Sequence, residues 1–172
     1  MSTDFVPRPC VCTVFFYCKI LLSKKKGGRN YDYSIPYALS FCRLRGDCMY
    51  IYYNPNPQNN LVGDCVIRAI AKVTGQSWEQ TYIKVALQGL TMHDMPSSNS
   101  VWGAYLAGQG FKRHVIPNTC PDCYTVKDFC ADYPQGAYIL ATGTHVIAVV
   151  DGDYYDTWNS GDEVPIYFFK EG

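Results

Sequence analysis

The sequence has no apolar run long enough to cross a bilayer. Its longest run, "CVCTVFFYCKILL" from Cys10 to Leu22, contains Lys19 and is followed by three lysines. A membrane-spanning helix needs about 20 predominantly apolar residues. A secretory signal peptide would place its basic residues before the apolar run, which is the reverse of the order here. The sequence therefore predicts no stable membrane insertion.

The chain also lacks net charge, because 15 Lys and Arg residues balance 15 Asp and Glu residues. This balance hides an asymmetry. Residues 1–48 carry 8 basic and 3 acidic residues, whereas residues 49–172 carry 7 and 12. An acidic body lacks the positive surface that neutralises phosphates. The charge distribution therefore argues against nucleic acid as a partner.

A regular cysteine framework is missing as well. The nine cysteines are odd in number and irregularly spaced, whereas small secreted domains use paired cysteines. We infer a reducing, cytoplasmic compartment. The motif "CPDC" (Cys120 to Cys123) is half of a zinc site that Cys130 and His114 could complete, but a single CxxC is a weak signal. Local packing is the favoured interpretation, and the sequence predicts no metal or cofactor.

A change of pattern near Met49 divides the chain. Residues 1–48 show no sustained helical or strand period, and they are interpreted as a leader: an over-long start, a flexible arm, or an added edge strand from Cys10 to Leu22. Residues 49–172 are expected to form one domain, since the chain is long enough for a real core and 48% of its residues are hydrophobic.

Within this domain, helices precede strands. Capping and glycine signals predict a first helix with Asp64 as N-cap and Gly75 as its end, and a second that begins at Ser77 and ends at Gly89. Short strands are predicted in "MYIYY" and "FKRHVI", with helices at about residues 98–107 and from residue 125. Four β-type runs follow: "AYILATG", "THVIAVV", "DYYDTW" and "EVPIYFF". This order predicts an α+β fold with a C-terminal antiparallel sheet.

Cys65 is the first candidate for chemistry, because it opens the predicted first helix. A helix N-terminus presents unpaired N–H groups and a partial positive charge, which favour an anion. A thiol there is biased toward thiolate, the nucleophilic form. On its own, a buried structural cysteine is the commoner outcome, so a partner is needed.

His145 is the best candidate for that partner, because it heads an apolar strand that leads into an Asp-Gly turn. A two-residue turn at Asp151 and Gly152 places Asp156 diagonally across from His145, roughly 7 Å away between Cα atoms. A loop one residue longer would instead bring Asn159 opposite His145. The turn type favours Asp156 as the group that orients the imidazole.

The blocks "GDCVIRAI", "THVIAVV" and "DTWNSG" resemble the papain-like cysteine peptidase superfamily, especially small bacterial forms akin to bacteriocin-processing, double-glycine peptidases. The chain is also similar to small proteins of phages and gut bacteria. The resemblance implies Cys65 as nucleophile, His145 as base and Asp156 or Asn159 as the orienting residue. It also implies an upstream Gln as oxyanion donor, for which Gln58 is the candidate and Asn59 and Asn60 are competitors.

The predicted function is therefore thiol-dependent hydrolysis of an amide in a peptide or protein substrate, through a thioester. Deamidation and acyl transfer to an amine use the same thioester and stay open. The alternative is a phage-encoded interaction protein that has the same fold and no catalytic activity.

Overall fold

A computed structural model describes residues 48–119 and 121–172. Except for Cys48, the predicted leader lies outside the described residues, together with its candidate edge strand and the "KKK" run. Cys120 of the "CPDC" motif also lies outside them. The predicted domain from Met49 to Gly172 is otherwise described throughout.

Four helices and six strands form an α+β fold over these residues. The helices are α1 Cys65–Thr74, α2 Trp78–Met92, α3 Asn99–Gly108 and α4 Val126–Asp132. The strands are β1 Tyr50–Tyr52, β2 Phe111–Val115, β3 Ala137–Ala141, β4 Val146–Val150, β5 Asp153–Asp156 and β6 Tyr167–Glu171. The predicted fold class is confirmed. None of the helices in the described ranges is long and apolar enough to span a membrane.

The strands form one sheet in the order β1-β5-β4-β3-β6-β2. Every neighbouring pair is antiparallel except β1 and β5, which are parallel. The predicted antiparallel pairing of the four C-terminal strands is confirmed, and the parallel contact of β1 with β5 is an addition that the sequence did not predict. Because about a hundred residues separate β1 from β5 along the chain, no short turn fixes their relative direction. The ladder continues into the loop, where the Tyr53 N–H donates to the Asp156 carbonyl over 2.8 Å.

The sheet separates two apolar clusters. On one face, α1, α2 and α3 pack over sheet residues that include Ala141, Val146 and Tyr167. On the other face, α4 packs over Leu140, Ile147 and Phe168, among others. Alternate residues of the central strands thus enter opposite clusters, as the period of two requires. The central strands are accordingly apolar along their whole length, as expected for a sheet covered on both sides.

Most predicted helix boundaries are confirmed. Capping boxes are present at Ser77 with Gln80 and at Thr125 with Asp128. Gly75 adopts the left-handed conformation, with φ 67°, that ends α1.

The predicted end of α2 at Gly89 is wrong, since the helix continues to Met92 and ends at His93 with φ 53°. Gly89 is instead buried within the helix. A Cβ atom at this position would lie 2.7 Å from the backbone oxygen of Asp94. The missing side chain therefore serves close packing against the following loop, a requirement that the local sequence pattern does not reveal.

Two helical glycines provide a matched test of this packing. We expect Gly89→Ala to destabilise the protein by about 1–3 kcal/mol, because the methyl group overpacks against backbone that cannot easily move. Gly103→Ala should be neutral or stabilising by up to about 1 kcal/mol, because Ala is the better helix former and its Cβ would meet only Phe169, at an ordinary 3.6 Å. Urea unfolding measures both changes, and equal effects would contradict this account.

Candidate active site

Cys65 is the first residue of α1, and its side chain is only partly buried. The first helical turn leaves its N–H groups without intrahelical partners. The first backbone bond of the helix is donated by Arg68 to the Asp64 carbonyl. The thiol therefore lies beside the backbone N–H groups at the start of α1. This is the position predicted for it.

His145 immediately precedes β4 and is held by a tight turn after β3. Its N–H donates to the Thr142 hydroxyl over 3.1 Å, and its carbonyl accepts from the Thr142 N–H at 2.9 Å. These two hydrogen bonds to Thr142 fix the backbone of the residue that carries the imidazole. Next to it, the Trp158 ring centroid lies 5.3 Å from the imidazole centroid. Trp158 therefore lies beside the site.

Asp156 is the group that contacts His145. Their Nε2 and Oδ2 atoms are 2.5 Å apart, and Asp156 is only 2% exposed. The contact follows from the hairpin: Asp151 and Gly152 both have positive φ, and Val150 pairs with Asp153. These are the features of the predicted two-residue type I′ turn. The predicted neighbourhood of His145 and Asp156 is confirmed.

The register alternative that favoured Asn159 is wrong. The two-residue turn keeps Asp156 on the face of His145 and places Asn159 beyond the strand end. The Asn159 side-chain oxygen accepts from the Tyr154 hydroxyl at 2.6 Å and from the Gly161 N–H at 3.3 Å. Asn159 therefore stabilises the loop after β5 and does not orient the imidazole.

The Cys65 thiol lies close enough to the imidazole of His145 for hydrogen bonding and charge from that ring to lower the pKa of the thiol. Because Nε2 is directed at Asp156, Nδ1 is the ring nitrogen left for the sulfur. The Val146 backbone also lowers the pKa of the thiol. Thiol, imidazole and carboxylate thus form one continuous chain across α1, β4 and β5. Their mutual geometry is that of a nucleophile, its base and an orienting acid.

The pKa values of Cys65 and His145 shift in opposite directions. Burial favours the neutral thiol, but hydrogen bonding and charge from His145, with a smaller effect of Arg68, together lower the pKa of Cys65. Burial also opposes the imidazolium, yet the hydrogen bonds from Asp156 and Cys65 raise the pKa of His145 to about 9. The pair is therefore biased toward thiolate and imidazolium at neutral pH.

Asp156 stays ionised for the complementary reason. Burial raises the pKa of its carboxyl group, but the hydrogen bond and charge of His145 outweigh burial and lower it. The Thr157 N–H also donates to Oδ1 over 2.7 Å. The buried Ser160 hydroxyl has a further lowering influence, although no hydrogen bond of normal geometry joins it to the carboxylate.

Sequence reasoning missed a second set of charges behind the site. Arg68 is 6% exposed and donates from Nη2 to Asp156 Oδ1 over 3.2 Å. Its Nη1 forms an i,i+4 pair with Asp64, whose other oxygen accepts from the Trp78 indole at 2.8 Å. The spacing of Asp64 and Arg68 was the available signal, since such a pair faces one side of a helix.

This network changes the role assigned to Asp64. The residue occupies the N-cap position as predicted, but its side chain makes no capping hydrogen bond. Both of its oxygens are instead used by Arg68 and Trp78. The acid before the thiol therefore neutralises a buried arginine that supports the orienting carboxylate.

The predicted oxyanion donors lie in the loop before α1. Gln58 is exposed, and its backbone N–H donates to the Asn56 side chain. Asn54 donates to the side-chain oxygen of Asn59 and to the backbone oxygen of Asn60. Within residues 48–119 and 121–172, no hydrogen bond joins these three side chains to Cys65 or His145. The assignment of Gln58 stays a prediction.

The residues of the weak metal motif differ in burial and in the residues around them. Cys123 is exposed, Cys130 is a buried residue of α4, and His114 stacks on Phe168 with ring centroids 5.0 Å apart. Over the described residues, no group of three or more His, Cys, Asp or Glu side chains could hold a metal ion.

Comparisons of the chain with protein-family models, curated proteins and solved structures give no significant match. The chemistry of the site must therefore be argued from its own geometry.

Replacing Arg68 tests the charge network. We expect Arg68→Met to destabilise the protein by about 3–5 kcal/mol, because it leaves two buried carboxylates without their shared cation. It should also raise the pKa of Cys65, since the charge of Arg68 lowers it. Denaturant unfolding and a pH titration of thiol alkylation measure the two effects. Lys127→Met, which removes an exposed ion pair with Asp162, is the control and should change neither.

The charge state of His145 can be read by NMR titration of its ring. In the parent protein we expect the imidazole to stay protonated up to about pH 9 and to lose its proton above that value. In Asp156→Asn the pKa should fall, because the raising hydrogen bond and charge are gone while burial still favours the neutral ring. His145→Gln assigns the resonance. A parent midpoint below 6.5 would contradict the ion pair.

Proposed function

We propose that this protein is a thiol-dependent amide hydrolase, and specifically a cysteine peptidase with a papain-like arrangement of its catalytic groups. One observation carries the proposal: a thiol at a helix start lies beside a histidine that lowers the pKa of the thiol and whose Nε2 contacts a buried carboxylate. Each contact alone is common in proteins. Their continuity through three separate elements is what a nucleophile, base and orienting acid require.

The first half of the reaction forms a thioester. The Cys65 thiolate attacks the amide carbonyl carbon, and the electron pair moves onto the carbonyl oxygen. As that oxyanion collapses, the His145 imidazolium donates its proton to the leaving amine, and the carbon–nitrogen bond breaks. Asp156 keeps the imidazole oriented and stabilises its positive charge during this step.

The second half restores the enzyme. His145, now neutral, accepts a proton from water as the water oxygen attacks the thioester carbon. The carbon–sulfur bond breaks, the acid product leaves, and the thiolate and imidazolium pair is regenerated. With an amine in place of water the same thioester would give acyl transfer, and a side-chain amide as substrate would give deamidation.

The oxyanion formed in both halves needs hydrogen-bond donors. The N–H groups of the first turn of α1 lie beside the sulfur and have no intrahelical partner, so the Cys65 N–H is the first candidate. Gln58 would supply a second donor by turning its exposed amide toward the site. Loss of one such donor costs about 2.7–4 kcal/mol of transition-state stabilisation in other enzymes.

Alkylation by iodoacetamide at pH 6 tests this function. We expect Cys65 to be labelled faster than exposed Cys123 of the same chain, because its lowered pKa keeps thiolate present in mild acid. Peptide mass spectrometry gives both rates from one sample. In His145→Ala the rate at Cys65 should fall to that of an ordinary thiol, while the rate at Cys123 stays unchanged.

A silent interaction protein would behave differently. Cys65 would then be labelled no faster than Cys123 at pH 6, and His145→Ala would have no effect. That pair of results would overturn the proposed hydrolase and favour a binding role for the fold.

A further inference from the structure

A cleft of about 550 Å³ lies between α3 and the edge formed by β2 and β6. The sheet supplies its aromatic wall through Phe111, Tyr167 and Phe169. The opposite wall is α3, where Gly103 and Ala104 carry almost no side chain and so leave the space open. None of these five residues belongs to the site around Cys65.

The cleft and the thiol lie on the same face of the sheet. Val146, which follows His145 and belongs to the apolar cluster that Cys65 packs against, pairs directly with Ala141, and Ala141 pairs directly with Tyr167. Directly paired residues point to one face, and all three belong to the cluster under α1 and α3. Adjacent strands are about 4.8 Å apart, so Tyr167 lies roughly 10 Å from Val146.

Arg113 gives the cleft its charge. Its guanidinium carbon lies 4.0 Å from the centroid of the Tyr167 ring, and the residue lines the cleft. In the part of the chain that the structure describes, no carboxylate forms an ion pair with Arg113. Stacking on an aromatic face leaves the edge of a guanidinium free to donate to a carboxylate in a bidentate manner.

We propose that this cleft is a substrate subsite that binds an acidic side chain, with Glu preferred, three residues from the scissile bond on the acyl side. The proposal rests on the proposed function. Val146, Ala141 and Tyr167 are buried, so the substrate passes around this line and not along it. An extended chain advances about 3.3 Å per residue, so the third residue is the first that can reach the cleft. The aromatic wall contacts the methylene groups of the side chain, and Arg113 binds its carboxylate.

A contact on the acyl side acts through both steps, because the enzyme holds that half of the substrate until the thioester is hydrolysed. A contact there assists formation and hydrolysis of the thioester alike, whereas a contact with the leaving amine assists only the first. The net negative charge of residues 49–172 is consistent with recognition of the carboxylate by Arg113 alone. Since residues 49–172 are acidic overall, Arg113 provides a local attraction for a carboxylate against an unfavourable background.

The test uses peptidyl chloromethyl ketones, which should alkylate Cys65. With these reagents the natural substrate need not be known. Matched peptides carry Glu or Gln at the second, third or fourth residue from the ketone, and mass spectrometry of the full chain follows labelling. We expect Glu to label about fivefold faster than Gln at the third position, the ratio that about 1 kcal/mol gives. A preference at another position, or none, would overturn the subsite.

Three variants make the result specific. Arg113→Gln should remove the preference for Glu. Lys112→Gln, the same charge change on the opposite face of β2, should retain it. Ala104→Leu should narrow the cleft and slow the Glu and Gln peptides alike. Retention of the preference in Arg113→Gln would refute the assigned carboxylate contact.

Failure of the subsite can be separated from failure of the hydrolase. If iodoacetamide labels Cys65 rapidly at pH 6 but the Glu and Gln peptides react equally, only the subsite is overturned. If neither reagent labels Cys65 faster than Cys123, the proposed function fails, and the subsite fails with it.

Discussion

The site depends on one buried carboxylate that is shared between two cations. Asp156 presents Oδ2 to His145 and Oδ1 to Arg68, and it is almost fully buried. An unpaired carboxylate in such surroundings would take up a proton, because desolvation disfavours its charged form. With both partners present it stays ionised. The same contacts tie β5 to α1 and to the residue that opens β4.

From this carboxylate, charged groups extend in two directions. Toward the solvent they include His145, whose pKa is raised to about 9, and Cys65, whose pKa is lowered. Toward the interior they run through Arg68 to Asp64, whose second oxygen is satisfied by Trp78. Because Asp64 and Cys65 are adjacent in the chain, the inner end of the network also fixes the start of the helix that carries the sulfur. The first turn of α1 therefore carries both the thiol and the arginine that contacts Asp156.

The two faces of the sheet have separate roles. The face under α4 is filled by large apolar and aromatic side chains and stabilises the domain. The face under α1 and α3 carries the thiol at one position and the cleft beside Tyr167 at another. Small residues on α3 keep that cleft open where larger ones would close the core. The thiol and the cleft therefore lie on the same face of one sheet.

The sequence by itself determined the features that depend on near neighbours. The starts of α2 and α4 followed from capping residues, and the contact of His145 with Asp156 followed from the two-residue Asp-Gly turn, because turn length sets register. Tertiary structure alone decided what depends on distant segments. Arg68 reaches Asp156 across 88 positions, and β1 joins β5 in parallel. No local pattern encodes these, since each arises only when remote parts of the chain compete for the same buried space.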